Sequence, residues 1–370
     1  MKTDQPLLQS IQLGAHQLKN RVVMAPMTRN RADNPDCAPT QLHATYYAQR
    51  AGAGLIISEG SQVSKRARGY IHTAGIHSRA QIEGWKDVTR AVHDKDGKIF
   101  CQLWHVGAIS HPDFHDGNKP IAPSAVNPNT QCYTASGFKD TVEPKAMTLE
   151  EIQETEDEFY YAAMNAKEAG FDGIEIHASN GYIFHQFFNS IANVREDDFG
   201  GSIENRCRFF FNVLERLRKV WPENCMGVRL NPSLHGDFGI TATEDTMATF
   251  DYIIKKLNEY DLAYLHLSEP FTDVSDVDFL DSEIAKRYRP IYSGSLMINN
   301  GFDKESGNEV IAKEHADLVS FGKLFISNPD LPHRFEVDAP MADWDQDTFY
   351  AQGPEGYIDY PTYEQEKQNA

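Results

Sequence analysis

The chain has 370 residues, 41% of them hydrophobic and 24% charged, with a formal net charge of −19. That length fits one large barrel domain or two ordinary domains, needs no disulfide staple to bury a core, and the negative surface disfavours nucleic acid and anionic lipid as partners. No apolar run is long enough for a membrane span, the N-terminal stretch lacks a signal-peptide core, and Cys37, Cys101, Cys132, Cys207 and Cys225 form no Cys-x-x-Cys pair, so a cytoplasmic protein without disulfide framework, zinc site or iron–sulfur cluster is expected.

In chain order, residues 7–20 alternate weakly around Gly14 and suggest a hairpin closing the floor of a barrel. Residues 21–27 (RVVMAPM) read as a first strand, 41–51 as a helix, 54–60 (GLIISEG) as a second strand and 80–93 as a helix. A third strand at 98–105 (KIFCQLWH) precedes a polar, Pro-rich excursion from 106 to 147. Thr148-Leu-Glu-Glu151 is a capping box opening a helix that ends near Gly170. A fourth strand occupies 171–178, and after Asp197-Asp-Phe-Gly-Gly201 a helix covers 203–220. Strands at 226–231, 263–267, 296–299 and 318–321 alternate with helices at 243–259, 282–288 and 303–315. Eight strand–helix units favour a single closed (β/α)8 TIM barrel over an open sheet. No Gly-x-Gly-x-x-Gly links a strand to a helix, which disfavours a Rossmann domain. One domain over 1–370 is expected, with 106–147 over the active-site face and a C-terminal aromatic segment at 349–363.

In such a barrel the chemistry lies at the C-terminal strand ends. Strand four ends in His177, with Asn180 and Tyr182 close behind: two neutral donors able to hold an oxygen that gains negative charge, and a phenol able to deliver a proton. Alone, these residues read more readily as a satisfied strand-end histidine and a turn asparagine; the other strand ends reverse that balance. Other strand ends add Ala25-Pro-Met-Thr-Arg29, Ser58-Glu-Gly60, Gln102 with Trp104, Arg229, Asn300-Gly301 and Phe321-Gly-Lys323. Each has a structural alternative; Arg229, for instance, could pair with a barrel carboxylate. Seven strands with polar residues at one end are harder to assign to packing. Asn300-Gly301, the helix after it, and Lys323 suggest an anion site where this barrel usually holds phosphate. Thr28, Gln102 and Arg229 suggest a flat polar head, and flavin mononucleotide (FMN) fits both ends.

With these motifs in view, the sequence resembles the Old Yellow Enzyme family of FMN-dependent ene-reductases over nearly its whole length. The markers are APMTR, GLIISEG, QLWHVG, the His177/Asn180/Tyr182 cluster, DDFGGSIENR and ISNPDL. The resemblance implies noncovalent FMN held by Pro26, Thr28, Gly60, Gln102, Arg229, Asn300, Gly301, Gly322 and Lys323. It implies that His177 and Asn180 bind the substrate oxygen, that Tyr182 donates the proton, and that Tyr70, Trp104 and Tyr350 shape the pocket. The implied reaction is NADPH- or NADH-driven reduction of enones, enals, maleimides or nitroalkenes by a monomer or homodimer. Many relatives have arginine where this chain has Lys323. The cysteine spacing excludes the dienoyl-CoA reductase branch, which carries a cysteine-ligated cluster. A flavin-binding barrel with another redox role and a non-redox phosphosugar barrel enzyme remain as alternatives. The His111-Pro-Asp-Phe-His115 cluster lies in a loop and is not read as a metal site.

Overall fold

Strands covered on both faces need no polar face, and here short, wholly buried runs form them. The computed structural model describes residues 5–369. Its principal strands are β1 (Val22–Met24), β2 (Leu55–Ile57), β3 (Ile99–Trp104), β4 (Gly173–His177), β5 (Met226–Leu230), β6 (Tyr264–Ser268), β7 (Leu296–Asn299) and β8 (Leu318–Phe321). Each pairs in parallel with the next, and Val319↔Val22 joins β8 to β1, closing the expected (β/α)8 barrel. A short strand, Ser61–Gln62, extends the sheet along the end of β3.

Parallel neighbours require crossovers, and amphipathic helices supply them. Arg79–His93 starts at a Ser78/Gln81 capping box and Leu149–Glu168 at the Thr148/Glu151 box read from the sequence. Replacing either cap with alanine typically costs about 1 kcal/mol. The helices pack outward-facing strand residues such as Ile174, Ile176 and Val228 into the main core. The opposite strand faces point inward. Val23, Leu55, Ile57, Phe100, Tyr264, Met297 and Leu318 fill the lower barrel together with Leu13 and Leu18. Those leucines come from the antiparallel hairpin Ile11–Leu13/His16–Leu18, which closes the floor as expected. Its turn needs Gly14: φ is +51°, and a Cβ there would collide with the Asn224 carbonyl.

The ladders are shorter than several apolar runs. Residues 21–27 contribute only Val22–Met24, and 54–60 only Leu55–Ile57. Past those points the backbone leaves its neighbours to build the mouth. The excursion after β3 also contains elements its polar composition concealed. Gln131–Thr134 forms a hairpin with Gly137–Asp140, and Ile121–Ala122 pairs with Lys145–Ala146. The segment packs onto the loops after β4 and β5, where Ser124 Oγ accepts from Val194 N at 3.0 Å and Pro128 abuts Gly239.

Three buried arginines tie distant segments together. Arg29 donates to the carbonyls of Phe349 (3.0 Å) and Gly356 (2.7 Å). Arg31 donates to those of Thr348 (2.9 Å) and Glu355 (2.8 Å). Arg50 reaches those of Phe325 and Ile326, each at 2.8 Å. Among the described residues, no helix is long and apolar enough to cross a membrane.

Candidate active site

Alternation along β4 sends Ile174 and Ile176 outward and Glu175 and His177 into the barrel. The strand stops at His177. Asn180 (φ +54°) and Gly181 (φ +73°) then turn the chain left-handed, and Tyr182 starts the short helix Ile183–Phe188. The turn puts the Tyr182 ring 5.0 Å from that of His177 at an interplanar angle of 82°. Trp104, from the end of β3, stacks near His177 (6.4 Å) and meets Tyr182 edge-on (5.1 Å). Tyr70 stacks on Trp104 at 5.6 Å, and its hydroxyl lies 3.4 Å from that of Tyr182. Tyr350 is exposed and lies within electrostatic reach of both phenols. The structure therefore assembles His177, Asn180, Tyr182, Tyr70 and Trp104, with Tyr350 at the rim. Phe238, which the sequence reading missed, adds a wall 6.2 Å from Tyr182. It lies in a polar loop after β5 without a recognisable motif.

Burial sets the protonation states. It drives the His177 pKa well below the ordinary histidine value, with the Arg229 charge assisting, so the ring is neutral. Ser179 Oγ lies 3.0 Å from His177 Nδ1, leaving Nε2 for a ligand. Asn231 Nδ2 donates to Asn180 Oδ1 at 3.4 Å, leaving the Asn180 amide N–H groups free to donate. Burial also lifts the Tyr182 hydroxyl well above its ordinary pKa, and Tyr70 is raised to about 12 for the same chief reason. Both phenols hold their protons at neutral pH.

The other predicted positions surround the same mouth. Pro26 and Thr28 are half-buried in the loop leaving β1. Gly60 must be small, because a Cβ would lie 2.8 Å from the Trp104 indole. Gln102 is buried and donates to Glu175 Oε1 at 2.8 Å. Among the described residues Arg229 pairs with no carboxylate: Nη2 donates to Asn299 Oδ1 at 2.9 Å, while buried Nε and Nη1 have no partner there. A buried cation with unused donors is costly unless a ligand accepts from it. This is the feature that best fits a flavin. Asn300 (φ +76°) and Gly301 (φ +82°) turn the chain after β7, with Asn300 Nδ2 held by the Pro270 carbonyl at 2.7 Å. Gly322 is half-buried, and Lys323 is exposed with Nζ 5.9 Å from the Trp344 ring centre.

One expectation is corrected here. The helix following Gly301, Lys304–Ala312, does not offer a free positive end to an anion. Asp303 caps it, its carboxylate accepting from Ser306 N at 2.8 Å. An anionic cap already satisfies those amides. Of the loop histidines, His111 pairs with Asp113 at 3.0 Å and His115 contacts Ser110 at 2.8 Å.

Buried neutral histidines also make stability depend on pH. Burial lowers His43, His105 and His185 to about 3, and His177 is strongly lowered as well. The unfolded chain protonates these rings below about 6.5 while the fold resists, so stability present above that pH is lost as pH falls. Each ring contributes about 1.4 kcal/mol per pH unit. Glu59, raised to about 7 by burial, acts oppositely between about 7 and its unfolded value of 4.5, and burial raises Glu158 and Glu269 as well; these three stand against eight lowered histidines, since His72, His77, His115 and His266 are lowered too. The urea midpoint is expected to drop steadily from pH 6.5 to 4.5; a flat profile would contradict the neutral-histidine assignment.

Neutral donors beside a protonated phenol, under a barrel mouth with a buried guanidinium, suit the class of (β/α)8 oxidoreductases. Comparison with known proteins gives the same class. The sequence profile of the NADH:flavin oxidoreductase / NADH oxidase family matches residues 6–341. The chain is 39% identical over 366 residues to 12-oxophytodienoate reductase 1 of Oryza sativa subsp. japonica, covering 97% of this chain and 94% of that one. It is 37% identical over 368 residues to 12-oxophytodienoate reductase 2 of Arabidopsis thaliana, covering 98% and 97%. Among solved structures, morphinone reductase superposes with a TM-score of 0.92 at 39% identity, covering 98% of each chain. The Old Yellow Enzyme homologue from Zymomonas mobilis gives 0.91 at 38% identity, covering 96% and 99%. The chain belongs to the NADH:flavin oxidoreductase / NADH oxidase family, the Old Yellow Enzyme family, and is an FMN-dependent oxidoreductase.

Proposed function

We propose that this enzyme reduces activated C=C bonds of α,β-unsaturated aldehydes, ketones, imides and nitro compounds at the expense of NADH or NADPH. The unpaired donors of Arg229 carry the cofactor side of this reading. With Thr28 and Gln102 they would hold the flavin ring, and Pro26 and Gly60 would leave it room. The backbone at Asn300, Gly301 and Gly322, with Lys323, would hold the phosphate. FMN held there would supply the hydride chemistry that links the nicotinamide to the alkene. His177 Nε2 and the Asn180 amide bind the substrate's carbonyl or nitro oxygen and stabilise the charge that develops on it. Tyr182 gives its proton to the α-carbon, and its raised pKa keeps that proton in place until then. Trp104, Tyr70 and Tyr350 exclude water and align the substrate. Five free, buried cysteines support a reducing, cytoplasmic setting.

The purified protein should be yellow, release one FMN per chain on heating, and oxidise NADPH or NADH in the presence of cyclohexenone or N-ethylmaleimide. A folded, colourless protein that takes up no added FMN would defeat the site assignment. A yellow protein that turns over neither acceptor would instead support a flavin-binding barrel with another redox role.

Lys323 offers a narrower test. Lysine is a point charge, whereas arginine makes two parallel bonds to phosphate. Lys323→Arg should leave the FMN dissociation constant equal or lower when apoprotein is titrated with FMN. Clear weakening would give Lys323 a different partner.

A further inference from the structure

Glu175 is a wholly buried carboxylate at the centre of β4. Its Oε1 accepts from Gln102 Nε2 at 2.8 Å, and its Oε2 lies 2.8 Å from His266 Nδ1. His266 Nε2 is in turn 2.8 Å from Ser320 Oγ. Burial lowers the pKa of His266, so the ring is neutral. It donates through Nδ1–H to the carboxylate and accepts the Ser320 hydroxyl proton at Nε2. A carboxylate cannot donate, so Gln102 must turn its NH2 group toward Glu175. Its carbonyl oxygen is thereby presented on the other side. On adjacent strands Glu175 stands opposite Gly227 and His177 opposite Arg229, so the carboxylate and the buried guanidinium enter the barrel two positions apart, and the Glu175 charge acts on Arg229. The barrel below is filled by Phe100, Tyr264, Met297 and Leu318, and the Tyr264 hydroxyl is raised in pKa by burial first and by Glu175 second.

We propose that Glu175 is a positioning residue for the flavin: through Gln102 it fixes an acceptor oxygen toward the ring, and through its charge it offsets Arg229 and so lowers the midpoint potential of bound FMN. The inference rests on the FMN reading of the site. It differs from a role confined to satisfying buried polar groups, which would alter folding but not the potential.

The test compares holoenzymes of the wild type and Glu175→Gln, measuring melting temperature, the FMN dissociation constant by apoprotein titration, and the flavin midpoint potential. Glutamine keeps the shape and removes the charge. The potential should rise by about 30 mV, a tenfold shift toward reduced flavin for a two-electron couple. His266→Gln, which can keep a donor facing an intact Glu175, should stay near the wild-type potential. An unchanged or lowered potential in folded Glu175→Gln overturns the proposal. If that variant does not fold, Glu175→Asp takes its place: the charge remains and the reach to Gln102 shortens. The FMN dissociation constant should then rise several-fold with little change in potential, and an unchanged constant overturns the proposal. Failure of the wild-type apoprotein to bind FMN would refute the reading of the site and the proposal with it, whereas an unmoved potential in Glu175→Gln overturns the proposal alone.

Discussion

Tyr182→Phe is expected to slow oxidation of the reduced enzyme by cyclohexenone about 10²–10⁴-fold, the usual cost of losing a positioned acid. Its reduction by a nicotinamide should remain near the wild-type rate. The change removes one hydroxyl from a ring packed by Trp104, His177 and Phe238, and the ring contacts survive it. The lost hydroxyl contacts only Tyr70 Oη, at a long 3.4 Å, so little stability should go with it. Nicotinamide oxidation needs no proton from Tyr182. A nitroalkene should be a partial exception, since its nitronate is stable enough to leave and take a proton from water. Stopped-flow traces of the two halves decide the matter. Equal slowing of both would make Tyr182 a ligand-positioning residue, and no slowing of either would assign the proton to water or another group.

Removing the Asn180 side chain is expected to lower kcat/KM for enones about 10²–10³-fold, the typical loss of about 3–4 kcal/mol for one oxyanion donor. The choice of replacement follows from the backbone. Asn180 has φ +54°, a conformation costly for leucine and free for glycine. Asn180→Gly therefore deletes the amide without straining the turn that carries Tyr182. The same variant should bind phenol more weakly in the oxidised state and show a fainter long-wavelength band. His177 stays neutral across pH 6–8, so wild-type phenol binding should show no step from that ring in this range. Unchanged phenol titration in Asn180→Gly would take Asn180 out of the pocket.

The barrel and its mouth were legible in the sequence because both are written locally. Apolar runs of strand length, the Thr148/Glu151 cap and the Gly14 turn each carry their own signal within a few residues. His177, Asn180 and Tyr182 were legible for the same reason, lying within a single strand–turn–helix. Pairings between distant positions were not. Nothing near Arg31 announces that it will meet the Glu355 carbonyl, 324 positions away. Nor does any motif connect His266 with Ser320. Glu175 did leave a signal, a charge between two isoleucines in an otherwise apolar strand, which marks a buried polar partner without identifying it. The sequence reading placed Asp303 inside the helix; its role as the cap of Lys304–Ala312, and the consequence for an anion, needed the geometry.

The grip of Arg29 and Arg31 on the backbone of residues 348–356 has a consequence for the order of assembly. A ribosome makes both arginines early and the carbonyls they bind more than three hundred residues later, as the span of 320 between Arg29 and Phe349 shows. Until then two guanidiniums destined for the interior have only local acceptors, Tyr46 Oη for Arg29 and the Arg29 carbonyl for Arg31, and β1 has no β8 beside it to close the ring. A nascent chain can thus bury its helices one after another while its mouth stays unfinished. Capture of the flavin belongs to the end of synthesis, and a fusion or truncation that disturbs the last segment will be felt at the end of the first strand.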